Sequence, residues 1–321
     1  YLYSPDLTPI VGGRVLVPFG SQKRVGIVVD LPASSDVAKE KLKPIIDVLD
    51  AESLFNSTTW DWLAWSANYY RAALGDVLFQ ALPVKLRNGE SAVKNDRTFW
   101  RITDLGKQAL ESGELKRAKK QIEALNLLLT QDLEKGNNEI SSAIWSALKG
   151  KDYVEEIIVR TEQKSWQQAL GDNPLVNLDN RLTLNKQQAL AFSQLLFQEG
   201  FNVWLLEGVT GSGKTEIYLQ YIEEVLKKGK QVLVLVPEIG LTPQTVRRFQ
   251  ARFNVEIDVL HSNLNDTQRL NVWERARTGQ SAIVIGTRSA LFTQFSDLGL
   301  IILDEEHDGS FKQQDGWRYH A

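Results

Sequence analysis

GVTGSGKT at residues 208–215 fills every fixed position of G-x-x-x-x-G-K-[ST]. It follows the apolar run VWLL at residues 203–206 and opens onto the amphipathic stretch EIYLQYIEEVL. A strand, a glycine-rich loop and a helix in that order predict a phosphate-binding loop. Glycine lets the backbone curl until amide N–H groups and the helix N-terminus face an anion. Gly208, Thr210, Gly211, Ser212 and Gly213 would form that cradle around ATP. Lys214 would reach the β and γ phosphates, and the Thr215 hydroxyl would ligate magnesium. The competing reading is a glycine-rich turn with no ligand.

Beyond the loop, apolar runs alternate with amphipathic ones. QVLVLVP begins at 231, EIDVL at 256, SAIVIG at 281 and GLIILDEEH at 299, with helical stretches after Lys214, Thr242 and Asn265. This alternation predicts a doubly wound parallel sheet with helices on both faces, an α/β class. GLIILDEEH ends in carboxylates where such a sheet presents its ligands. Asp304 would hold magnesium and Glu305 would polarise the water that attacks the γ phosphate. By itself an acidic cluster after a strand is ordinarily a solvated strand end; the phosphate loop ninety residues earlier reverses that reading. His307 is open between a relay of nucleotide state and simple packing.

Four further segments carry candidate contacts. Gln188, in LTLNKQQALAF at 182–192, could recognise the adenine edge or pack within a helix. VPEIGLTPQT at 236–245 and GTRSALF at 286–292 offer Thr242, Gln244, Thr287 and Arg288, residue types that can bind a sugar-phosphate backbone without reading bases. As isolated sequence both are ordinary loops. FKQQDGWRYH at 311–320 interleaves Phe311, Trp317 and Tyr319 with Lys312 and Arg318. Aromatic faces stack bases and cations hold phosphate, so this segment reads as a single-strand sensor, with a buried aromatic patch as the alternative.

Upstream, RVLVPFG at 14–20 and RVGIVVD at 24–30 flank Ser21-Gln22-Lys23, a hairpin signal in a small β unit. Trp60, Leu63, Ala64, Ala67 and Tyr70 recur at helical spacing. Residues 88–96 read as a linker into a unit opening with RTFWRIT. Two helical stretches and one strand follow, which suits a winged helix-turn-helix or a plain helical adaptor. GDNPLVNLDN at 171–180 reads as a second linker.

With 321 residues the chain exceeds one ordinary domain. A net charge of -3 leaves nucleic-acid binding to local patches. The absence of cysteine excludes a disulfide framework and a thiolate zinc site, and fits a reducing compartment. No run approaches the ~20 apolar residues of a membrane span and no signal pattern opens the chain, so a soluble cytosolic protein is expected. No methionine occurs, the initiator included, and the chain stops shortly after its acidic motif. Both features lead us to expect a segment of a longer protein.

GVTGSGKTEIY, VPEIGLTPQT, VLHS, GTRSALF and DEEHDGSFKQQDGWRYHA together resemble superfamily 2 helicases, and among them the replication-restart helicases. RVLVPFG, RVGIVVD and GDVLFQALP resemble that family's DNA-binding domain for the 3′ end of a leading strand. The resemblance implies three parts: a β-rich 3′ DNA end-binding domain at 1–90, a winged-helix domain at 96–165, and an incomplete RecA-like ATP-binding helicase lobe at 176–321. It implies an ATP- and magnesium-dependent 3′ to 5′ DNA helicase that recognises stalled or abandoned forks and initiates primosome assembly. Expected partners are forked and single-stranded DNA, single-stranded DNA-binding protein and primosome proteins. A monomer is expected, in the bacterial cytoplasm and nucleoid-associated at forks. A second ATPase lobe with an arginine finger and a cysteine-rich zinc module are expected from the family and are absent from these residues, so this segment alone is not expected to unwind DNA. Two rival readings stand beside this one: a P-loop switch that moves no DNA, and a fork-binding scaffold with a vestigial ATPase lobe.

Overall fold

Arg14–Phe19 (β1) and Gln22–Ile27 (β2) pair antiparallel from Arg14↔Ile27 to Phe19↔Gln22. In this computed structural model, which describes residues 1–92, 96–112, 115, 118–135, 140–160, 164–196 and 200–321, the turn falls on Gly20 and Ser21. Gly20 has φ +60°, a conformation that glycine adopts without strain. Gln22 and Lys23, expected in the turn, therefore belong to β2. Asp47–Val48 (β3) pairs on the other side of β1. Ser57–Tyr69 (α1) starts where the Asn56 side chain accepts the Thr59 N–H. Leu74–Gln80 (α2) and Val84–Arg87 (α3) complete this N-terminal module. Arg14 is fully buried beneath it: two guanidinium nitrogens donate to Asp50, and Nη1 donates to the carbonyls of Leu86 and Glu90.

Residues 93–163 form a compact unit of their own. Asp96–Ile102 (β4) is followed by Asp104–Glu111 (α4), Lys119–Thr130 (α5), Leu133–Glu134 (β5), Ser142–Lys149 (α6) and Val154–Arg160 (β6). The strands make an antiparallel sheet in the order β5-β4-β6, where sequence reading expected a single strand. The period-two burial of Trp100 and Ile102 on β4 is the signal for the others, since a strand with one apolar face needs paired neighbours. Trp100 stacks on Trp145 of α6 at 5.3 Å and 11°. Residues 93–95 of the expected first linker lie outside the described residues.

The chain then returns to the first unit, which unites 1–92 with 164–321. Trp166–Leu170 (α7), Lys186–Leu196 (α8), Lys214–Lys227 (α9), Gln231–Leu235 (β7), Pro243–Arg252 (α10), Ile257–Leu260 (β8), Asp266–Arg277 (α11), Ile283–Gly286 (β9) and Leu298–Leu303 (β10) follow. The four strands pair in parallel in the order β10-β7-β9-β8. β7 and β9 are buried along their whole length, as continuous β-branched runs in a covered sheet should be. Val232, Val234, Ile283 and Ile285 pack with Ile222 and Phe249 on one face. Leu233, Leu235 and Val284 pack with Val272, Phe295 and Phe311 on the other.

One expected strand is not part of this sheet. VWLL at 203–206 has no regular secondary structure, and Val203 and Leu205 are 82 % and 75 % exposed. A parallel-sheet strand gains its stability from a ladder and covering layers, and this run has neither. β10 is correspondingly an edge, with Ile301 and Leu303 partly open to solvent.

The N-terminal module and the parallel-sheet lobe share a core. Leu63, Val77, Leu78, Leu82 and Leu86 from α1 to α3 pack with Leu270 and Trp273 of α11 and with Phe292, Trp317 and Tyr319. Arg277 of α11 donates to the Ser53 carbonyl at 3.3 Å. Glu274, also on α11, is buried at this seam, and its Oε1 has no hydrogen-bond partner among the described residues. Burial pushes its carboxyl up to about 7, only partly offset by Arg277 and Arg14, whose positive charges favour ionisation.

A carboxyl raised in this way binds its proton more tightly in the folded chain than in the unfolded one. Its contribution is fully present below the ordinary value of 4.5 and is lost as pH rises through about 7. Glu274→Gln should therefore stabilise the protein above pH 7 by on the order of 2 kcal/mol after solvent screening, with the gain vanishing towards pH 4.5. Urea midpoints of both proteins across that range would show it, and parallel curves would refute the assignment.

Candidate active site

The loop at 208–215 turns on two glycines in the left-handed region, Gly211 at φ +80° and Gly213 at φ +84°. Gly213 is the N-cap of α9, so the turn delivers the chain into the helix with its first amides aimed at the loop's concavity. Lys214 is half-buried and donates from Nζ to the Gly208 carbonyl at 2.6 Å. Gln188 braces the loop from α8: its Nε2 donates to the Ser212 carbonyl at 2.8 Å, and its Oε1 accepts the Asn185 N–H at 2.9 Å. A Cβ on Gly213 would lie 2.3 Å from that Nε2, at the movable end of the Gln188 side chain, while the Gly213 φ of +84° is what favours glycine there. The Gln188 amide thus buttresses the cradle in this structure.

Asp304 follows the last residue of β10, with its N–H donated to the Leu235 carbonyl of β7. Glu305 takes φ +51°, a costly conformation for a residue with a side chain, and one that turns the chain sharply after the strand. His307 is largely exposed, its Nε2 lying 3.8 Å from Glu305 Oε2. The Asp308 carboxyl is held below its usual range by hydrogen bonds from the side chain and N–H of Ser310.

Tyr218 joins the two motifs, and sequence reading did not single it out. Its hydroxyl donates to Asp304 Oδ2 at 3.2 Å, and the Thr215 side chain is near enough to interact with it. Burial, reinforced by the Asp304 charge, pushes the phenol up well beyond its ordinary value. The signal was available: on α9, Tyr218 stands three residues after Thr215 and four after Lys214, the spacing of one helical face. Glu216, the next residue after Thr215, is clamped by Arg252 of α10, whose Nη2 lies 3.0 Å from Glu216 Oε1 and whose Nη1 donates to the Asn180 carbonyl. Removing one side of so buried an ion pair is strongly unfavourable, which ties α10 to the loop helix.

Magnesium fits this donor set. Thr215 and Asp304 reach the same phenol, so a hydroxyl and a carboxylate, both hard oxygen donors, face one space beside the phosphate loop. Among the described residues there is no cluster of three or more histidines or carboxylates able to hold a metal by itself. Magnesium there would be shared with phosphate oxygens, where it would neutralise charge on the transferring group.

The predicted nucleic-acid residues separate into two groups. Thr242 is the exposed N-cap of α10, accepting the Thr245 N–H, and Gln244 lies beside it in the first turn. Thr287 precedes a 3-10 turn at Arg288–Phe292. Lys312 and Arg318 are exposed. Phe311, Trp317 and Tyr319 differ from the expectation of a stacking platform: they are 0 %, 5 % and 4 % exposed. The Trp317 and Tyr319 rings face Phe292 and the N-terminal helices, and Phe311 packs beneath the parallel sheet with Leu233, Val272 and Phe295, because apolar surface gains more from these cores than from water. Arg288 is likewise engaged, its Nη1 donating to the carbonyls of Ser310 and Lys312. It holds the loop after the acidic motif in place.

These positions meet the comparisons with known proteins. A PriA 3′DNA-binding domain model matches residues 1–83, and a DEAD/DEAH box helicase model matches residues 185–321. The replication restart protein PriA of Haemophilus influenzae is 75% identical over the whole of this chain. The chain belongs to the PriA family. The PriA of Buchnera aphidicola is 34% identical over the whole chain, and that of Bacillus subtilis 30% identical over 97% of it. The chain spans 44%, 43% and 47% of the length of these three PriA relatives. A DEAD/DEAH box helicase domain implies the use of ATP and magnesium in general. No described helix is long and apolar enough to cross a membrane.

Proposed function

We propose that the protein to which this chain belongs is an ATP-dependent 3′ to 5′ DNA helicase that recognises stalled or abandoned replication forks and initiates primosome assembly. The observation that carries the reading is the meeting of Thr215 and Asp304 at Tyr218, which brings phosphate loop and acidic strand end into one site. Lys214 binds the β and γ phosphates, Glu305 orients the attacking water, and the loop amides from 208 to 213 stabilise charge on the phosphates. Gln188 contacts the adenine edge once nucleotide draws it from the Ser212 carbonyl. Thr242, Gln244, Thr287, Lys312 and Arg318 follow the sugar-phosphate backbone, and His307 reports nucleotide state. Residues 1–90 read the 3′ end, 96–165 act as a winged helix, and 176–321 serve as the first motor lobe. Zinc belongs to a cysteine-rich module outside these 321 residues. Single-stranded DNA-binding protein and primosome proteins are the partners, and the protein works as a monomer at the bacterial nucleoid.

The test is ATP hydrolysis by the full-length protein with no DNA, with single-stranded DNA, and with forks whose leading strand ends in a 3′-hydroxyl or a 3′-phosphate. Hydrolysis should rise with any single strand and rise further with the 3′-hydroxyl fork. Fork binding without DNA-dependent hydrolysis would favour a scaffold instead. DNA-independent hydrolysis would favour a switch.

A further inference from the structure

We infer that Tyr218 is a positioning residue for the magnesium-nucleotide site, holding the Asp304 carboxylate in register with the Thr215 hydroxyl. This rests on the proposed ATPase reading of the same site. Three observations carry it. The phenol stands between the two motifs: it donates to Asp304 Oδ2 at 3.2 Å, and the Thr215 side chain is near enough to interact with it. Its ring is fixed from behind, stacking on fully buried Phe249 of α10 with centroids 6.4 Å apart and planes 23° apart. And Asp304 otherwise sits at the exposed edge of the sheet, just past β10, where its main chain is tied to β7 but its side chain needs a partner to fix its rotamer.

A hydrogen bond from a pinned phenol to one carboxylate oxygen leaves the other oxygen free for a cation or its water shell. Magnesium demands near-ideal octahedral geometry, so a donor free to rotate binds it less well than one already oriented. Phe249 lies on the helix capped by Thr242, and Arg252 of the same helix clamps Glu216. The orientation of Tyr218 is therefore fixed by α10, the element that also bears a candidate DNA contact.

The experiment compares full-length wild type, Tyr218→Phe and Lys214→Ala by titration with a fluescent ADP analogue, with and without magnesium, and by manganese EPR in the presence of ADP. Tyr218→Phe keeps the ring and its stacking and removes only the hydroxyl. It should leave magnesium-free nucleotide affinity unchanged and weaken the metal-dependent gain, and manganese binding, by about fivefold, the scale of one hydrogen bond. Equal loss with and without metal would mean a merely structural role and would overturn the inference, as would unchanged metal affinity. If wild type bound nucleotide no better than Lys214→Ala, the ATPase reading itself would fall, and the two failures are thereby distinguished.

Discussion

Lys214→Ala should cut ATP turnover by roughly 10²–10³-fold, the scale seen when one preorganised charge-stabilising donor is removed. The melting temperature should hardly move. Lys214 is half-buried, but its hydrogen bond to the Gly208 carbonyl is solvent-exposed, and water can satisfy that carbonyl once the ammonium is gone. Substitutions outside a packed core that break only a solvent-exposed hydrogen bond usually stay within about 0.5 kcal/mol of wild type. The ammonium has no other structural duty here, and bending away from Gly208 would free it for phosphate. Steady-state hydrolysis alongside thermal unfolding checks both halves. A variant that unfolded early would place Lys214 in the scaffold, and one that retained turnover would remove it from the chemistry.

Trp317→Ala should cost about 3–5 kcal/mol of stability, the range for truncating a large buried aromatic. Trp317 is 5 % exposed and lies against Tyr70, Phe292 and Tyr319. The loss should appear in one transition that carries residues 1–92 and the sheet lobe together, since both contribute to that core. A base-stacking role makes the opposite forecast: unchanged stability and a loss of about 1–3 kcal/mol in single-strand affinity. Urea unfolding and DNA titration of the same variant discriminate between them. A stable variant with weakened DNA binding would show that the aromatic loop opens to reach its ligand. The same core makes removal of residues 1–90 a poor test of fork recognition, because Leu270, Trp273 and Phe292 would lose their cover.

The motifs were readable because their chemistry is local. The phosphate loop and the strand leading into Asp304 are each written within a dozen residues. Four of the five expected strands of the lobe were likewise visible as short apolar runs. What escaped depends on partners distant in the chain. Trp317 and Tyr319, after the acidic motif, carry no mark that α1 and α2, some 240 residues earlier, would cover them. Composition alone could not separate a stacking surface from a packed one. Tyr218 escaped for another reason: a tyrosine in an amphipathic helix looks like core, and only its position opposite Asp304 gives the hydroxyl a task. The run at 203–206 has the right composition for a strand, but composition does not supply a neighbour with which to pair.

The shared core also sets an order of events during synthesis. Leu63, Val77 and Leu86 leave the ribosome early, whereas Trp317 and Tyr319, which close over the same cluster, follow some 230 residues later. At about 5–20 residues per second this is a delay on the order of ten to fifty seconds. Through that interval the nascent N-terminal helices carry an apolar face that awaits its cover, a natural landing place for a ribosome-associated chaperone. Slow translation of the region between would lengthen the exposure, so codon usage in that stretch bears directly on the yield of folded protein.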